Sequence, residues 1–253
     1  MVETSARRRL LGLAIVVVLG LGLFLLAGTL WENSIDRDQA VERFRGAGPA
    51  AAEVVDGLPE PGVYAYRTSG GERVSFFDYE RPYSSTTYRI VTRQGCGVRE
   101  EQNFLVQHVE YYDRCGPRLA SYGTDIAFWW THGTQDFTCT GGSFDASDLP
   151  RQGLVEWECH DEDTVARQIT NYLGDERVYV DGKDLDARHV RWTTIFDGAT
   201  KGAAVVEDWF DVNTGLVLKE TRNIGLRVGS PFIGDISYID VSDYLLESTT
   251  PAR

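Results

Sequence analysis

The 253 residues carry a formal net charge of −13, with 38 acidic against 25 basic side chains. A field of that sign repels nucleic acid at long range, so DNA and RNA are excluded as partners. The four cysteines include no Cys-x-x-Cys pair, and their spacings fit no zinc module.

At the N-terminus Arg7-Arg8-Arg9 precedes the uncharged run Leu10–Trp31. Roughly 20 apolar residues cross a bilayer core, and basic residues on one flank stay cytoplasmic. A cleaved signal peptide wants an apolar core of only about 7–15 residues and a small-x-small exit. Here the exit offers only Ala27 and Thr29. The sequence therefore predicts a single-pass cell-membrane protein: a cytoplasmic tail at 1–9, a retained transmembrane anchor at 10–31, and an extracytoplasmic remainder. Without Arg7, Arg8, Arg9 and Glu3 that remainder keeps 22 basic and 37 acidic residues, a formal net charge of −15.

Residues 32–57 read as a juxtamembrane connector, with a short helix over Ile35–Arg45 broken at Gly46-Ala47-Gly48-Pro49. A compact domain is expected over 58–247 and a C-terminal tail over 248–253. Its signals are almost wholly β: period-2 segments bounded by Gly, Asp, Asn or Pro. Candidate strands are Gly62–Ser69, Glu72–Phe77, Thr86–Arg93, Val98–Asn103, Val109–Arg114, Leu119–Tyr122, Ile126–His132 and Asp136–Thr140. They continue with Leu154–His160, Thr164–Tyr172, Glu176–Val180, Asp184–Asp197, Ala203–Asp211, Leu216–Asn223 and Gly234–Leu246. Asp181-Gly182 suits a two-residue hairpin turn, and Asp211–Leu216 a longer one with Gly215 left-handed.

The even cysteine count predicts two disulfides in an oxidising compartment. Cys96 and Cys115 are symmetric about a hairpin centred near Leu105-Val106, and Cys139 and Cys159 about Leu149-Pro150. Opposed antiparallel residues lie within disulfide reach, so the pairing expected is Cys96–Cys115 and Cys139–Cys159. Farther on, Val190, Trp192, Thr194 and Phe196 alternate with His189, Arg191, Thr193 and Ile195, while Val206, Asp208 and Phe210 alternate with Val205, Glu207 and Trp209. With so few helix signals, the fold class is mainly β: an antiparallel sheet that covers itself by curling or by forming two layers.

Candidate chemistry is sparse. The histidines His108, His132, His160 and His189 show no metal-ligand spacing, and Gly-x-Ser-x-Gly is absent. The acidic runs Asp161-Glu162-Asp163 and Asp181–Asp186 match no calcium loop and read as turns. Glu207 and Asp208, beside Asp211, point to opposite faces of one strand and fail as a glycosidase pair unless a partner comes from elsewhere. No catalytic residue, metal or cofactor is expected. The aromatics Phe128, Trp129 and Trp130 beside His132, with Trp192 and Trp209, are candidates either for core or for a ligand surface.

Several strings carry a resemblance: Gly62-Val63-Tyr64, Tyr66, Gly70-Gly71-Glu72, Gly95-Cys96-Gly97-Val98, Trp157 with Cys159, Trp209-Phe210-Asp211, Thr214-Gly215-Leu216, and Gly234-Asp235 with Tyr238. They resemble single-pass envelope proteins of high-GC Gram-positive bacteria that have no assigned function. The C-terminal half is more loosely similar to the curved sheets of LolA/LolB-like lipoprotein carriers, without their lipid-anchoring cysteine or helical lid. The resemblance implies location and fold, not activity. Two functions remain. One is a non-catalytic envelope domain that binds a lipid, another hydrophobic or amphipathic ligand, or a protein partner. The other is a hydrolase whose site is assembled from dispersed residues.

Overall fold

The computed structural model describes residues 34–47, 57–75, 79–115, 118–128, 131–140, 153–230 and 234–253. The expected tail and anchor, 1–9 and 10–31, lie outside them. Among the described residues no helix is long and apolar enough to cross a membrane. A compact unit runs from Ser34 to Arg253.

Among the described residues thirteen strands form one antiparallel sheet. They are β1 (Gly62–Val74), β2 (Tyr79–Pro82), β3 (Thr86–Gln94), β4 (Gly97–Leu105), β5 (His108–Cys115), β6 (Arg118–Phe128), β7 (Thr131–Thr140), β8 (Leu154–His160), β9 (Thr164–Val180), β10 (Lys183–Gly198), β11 (Thr200–Asp211), β12 (Val217–Ser230) and β13 (Gly234–Leu246). From β3 onward each strand pairs with its chain neighbour, and β13 pairs back onto β1 from Tyr66↔Leu246 to Val74↔Tyr238. On its other edge β1 pairs first with β3 and then with β2, which together make one interrupted stave. The sheet thus closes into a ring of twelve staves, an up-and-down barrel. Curling was expected and occurs; the two-layer alternative is corrected, because closure removes the free edges that a sandwich keeps.

The expected split of β1 after Ser69 is also corrected. One strand bends at Gly70-Gly71, where it changes partner. Gly70 has φ +97°, and a Cβ there would lie 2.1 Å from the Val241 carbonyl oxygen, so the bend needs glycine. β9 likewise runs unbroken through Gly174, and the ladder slips between His189 and Val190, a bulge that absorbs the extra residue. The segment Ile126–His132 straddles a hairpin end, since β6 stops at Phe128 and β7 starts at Thr131. The Asp181-Gly182 turn has both residues at positive φ, and Gly215 is left-handed at +62°.

Both disulfides form as paired from the sequence, Cys96–Cys115 with Cα atoms 4.9 Å apart and Cys139–Cys159 at 4.0 Å. The second ties β7 to β8. Among the described residues β7 and β8 share three register pairs, Thr138↔His160, Cys139↔Cys159 and Thr140↔Glu158.

One end of the barrel is filled by a buried cluster that includes Leu58, Tyr66, Leu216, Leu218 and Leu246. The outer wall is mixed: the charged Arg167, Arg177, Asp186 and Arg191 are largely exposed, and so are the apolar Ile195, Val205, Ile239 and Val241. Helix α1 (Arg37–Gly46) begins with a capping box between Asp36 and Gln39. Ile35 and Ala40 bury against Val63 and Ile90 on the outside of β1 and β3, and Ala252 bridges to Val63. Residues read as connector and tail therefore pack onto the barrel.

Candidate functional site: the barrel lumen

Twelve staves enclose more width than side chains fill, and a cavity of about 530 Å³ remains inside. Period-2 alternation decides what lines it. Trp192, Thr194 and Phe196 from β10, and Val206, Asp208 and Phe210 from β11, face in. Their alternates Arg191 and Glu207 pair with each other on the outside.

One side of the lumen is apolar. Tyr122 stacks on Phe137 at 4.8 Å between centroids, Phe196 meets Phe137 edge-on at 5.9 Å, and Trp192 packs between Trp157 and Phe210. Ile224, Leu226 and Ile236 continue that surface along β12 and β13.

The other side is a buried ion network. Arg89 donates to Glu220 at 2.7 Å, to Gln102 at 2.8 Å and to Glu100 at 3.4 Å, and Arg114 pairs with Glu100 as well. Arg222 donates through Nη2 to both oxygens of Glu110, at 2.7 and 2.8 Å. Its Nε lies 3.6 Å from Glu220 and Asp240. His108 Nδ1 sits 2.9 Å from Glu72 and Nε2 3.6 Å from Glu110, while Arg81 also pairs with Glu72. Charges taken this far out of water must be paired, and these are.

Burial alone would lower the His108 imidazole; the carboxylates of Glu72 and Glu110 outweigh it and raise it to about 9. The guanidinium of Arg222 and the His108 cation hold Glu110 well below the usual carboxylate range against its burial. Asp208 goes the other way. Desolvation, reinforced by Glu220 directly opposite in the β11–β12 ladder, pushes its carboxyl well above that range. A histidine paired with a carboxylate in a cavity is what a hydrolase would show. This histidine, however, faces a carboxylate at each ring nitrogen, and both favour its cation over the neutral imidazole that a general base needs.

Of the five candidate aromatics, Trp192 lines the lumen. Trp209 does not: it joins the buried cluster at one end of the barrel, with His189 stacked at 4.0 Å, Lys219 at 4.0 Å and its Nε1 donating to Glu176. Phe128 closes β6, and Trp129 and Trp130 fall outside the described residues. His132 is exposed and bonded to Asp125, whereas His189 is buried between Glu176 and Glu207. Among the described residues no group of three His, Cys, Asp or Glu is placed to hold a metal.

Sequence reasoning missed His108, Glu110, Arg89 and Arg222, because charges on alternating strands read as a solvated face. The signal lay in parity: Glu110 is in phase with Tyr112, and Arg222 with Ile224.

The fold and the site thus define a closed meander barrel with an amphipathic interior cavity. No family model matches the chain, and no curated protein matches it. A search of solved structures finds similarity to the hypothetical lipoprotein YmcC from Escherichia coli K12, at 11% identity and a TM-score of 0.34, over 82% of this chain and 97% of that one.

Proposed function

We propose that this is an extracytoplasmic binding domain of the cell envelope, held at the membrane by residues 10–31, that takes a hydrophobic or amphipathic ligand into its lumen. The observation that carries the reading is the cavity itself, about 530 Å³ with an aromatic and aliphatic side facing a polar one. Pockets of this size and lining are the usual form of small-molecule sites. Two disulfides support an oxidising compartment, and the long uncharged N-terminal run supports the anchor.

Filling the lumen tests the reading. Ala204 faces in between Thr194 and Ile224 on the neighbouring staves. Ala204→Trp should lower binding of the fluorescent apolar reporter N-phenyl-1-naphthylamine at least tenfold while the protein still melts cooperatively. Wild-type protein that binds no reporter, and that carries no lipid in native mass spectrometry, would overturn ligand binding and leave a protein-interaction domain.

A further inference from the structure

Four adjoining staves, β10 to β13, share a patch on the outer wall that carries no charge. Two register rows make it. One runs Ile195, Ala203, Gly225, Ile239, and the next Thr193, Val205, Asn223, Val241. Ile195, Val205, Ile239 and Val241 are between 36% and 54% exposed. Charge lies on all four sides. The outward row beyond Ile195 holds Asp197, Lys201 and Arg227, and the row beyond Thr193 holds Arg191, Glu207 and Asp243. Arg167 on β9 and Arg73 on β1 stand at the two ends of the Ile195–Ile239 row. An exposed apolar patch with a polar rim marks an interaction site. Lipid does not fit it, since two rows cover roughly 14 Å of strand and a wall that crosses a bilayer needs an apolar band of about 25 Å.

The two charged rows match each other, and that selects the occupant. A two-fold axis lying across the strands turns one row of a second copy onto the other row of the first, while each strand faces its own counterpart. Asp197 then meets the partner's Arg191, and Lys201 meets the partner's Glu207, each contact being made twice. The same operation sets Val205 over the partner's Ala203 and Asn223 over the partner's Gly225. A Cβ on Gly225 would meet nothing within 4 Å, so that position is a notch in the wall. Large thus faces small on β11 and β12, the central staves, where two convex walls come closest. An axis along the strands would instead drive Lys201 against the partner's Arg227.

We propose that this patch is the contact between two copies of the chain, related by a two-fold axis that crosses β10 to β13. It is small. Four strands and four rows enclose on the order of 500 Å² per copy, and a total of about 1,000 Å² falls below the roughly 1,200 Å² of a standard interface. The pair is therefore weak in solution. Helix α1 packs on β1 and β3, to one side of the patch, and the axis leaves both copies of α1 on that same side. Two chains held by one bilayer can then pair, and shared confinement raises their effective concentration. That last step alone rests on the membrane attachment proposed above; the patch is independent of the lumen.

Sedimentation equilibrium of the full chain in a fluorinated surfactant should show monomer and dimer with a Kd on the order of 100 µM. Val205→Asp and Lys201→Glu should each weaken the dimer about tenfold or more while the thermal melt stays as in wild type. A charge swap tests the orientation. Asp197→Lys and Arg191→Glu should each be monomeric alone, because each homodimer then sets like charges together twice. Mixed in equal amounts they should form a mixed pair, in which every charge again meets its opposite. Misfolding cannot produce that recovery. A wild-type chain still monomeric at about 1 mM would overturn the proposal. So would a dimer that Val205→Asp leaves unchanged, which places association elsewhere on the chain, or a charge swap that does not recover on mixing.

Discussion

Replacing Arg222 by methionine should lower the unfolding free energy by about 3–5 kcal/mol, the range seen when one partner of a buried ion pair is removed. The loss is large against a typical total of roughly 5–15 kcal/mol. Methionine fills much of the volume and keeps the contact with Phe104, over whose ring the guanidinium lies at 4.8 Å. What it cannot do is answer Glu110, Glu220 and Asp240, all of which Arg222 faces. Urea denaturation is the measurement. Adding Glu110→Gln should recover part of the deficit, because it removes one of the stranded charges. If the double variant is no more stable than the single one, the cost comes from packing and the charge argument fails.

Raising the pH from 6 to 9 should cost the native protein on the order of 3 kcal/mol, and His108→Gln should flatten that dependence. The sign follows from the imidazole. Its folded-state value of about 9 lies above the ordinary 6.5, so its stabilising contribution is complete below about pH 6.5 and fades as the pH climbs through 9. Glu72 and Glu110, both held low, contribute above the ordinary carboxylate range and lose that contribution in acid. Asp208, pushed high, opposes them, since its contribution is complete in acid and declines as the pH rises. Thermal melts at pH 6 and 9 check the slope while staying below the range in which the buried phenols ionise. A slope that survives His108→Gln would assign the effect elsewhere.

Much of the fold was legible because local chemistry determines it. Asp181-Gly182 dictates a tight turn, the cysteines mark hairpin partners, and the alternation from Val190 to Phe210 separates the two faces correctly. Closure was not legible, since it depends on β1 meeting β13 across more than 160 residues, which no local pattern encodes. Nor was the polar side of the lumen. Glu220 reaches Arg89 from a strand 131 positions away, and each residue alone looks like an ordinary surface charge. The glycosidase argument shows the same limit: Glu207 and Asp208 do face opposite ways, and the carboxyl opposed to Asp208 is Glu220, on the next stave.

The Cys139–Cys159 bond across the β7–β8 seam bears on how the chain must mature. A ring differs from a strip by the integrity of every seam, and this one carries a covalent clasp. Under reducing conditions the clasp is gone, and parting β7 from β8 turns the molecule into an open strip with two bare margins. Unpaired strand margins recruit other chains. A reduced population should therefore clump before it unfolds, at protein concentrations where the oxidised form stays dispersed, and light scattering with and without dithiothreitol would show the difference. The Cys139–Cys159 bond would thus serve solubility at least as much as stability, which ties a well-behaved ring to completion of its oxidation.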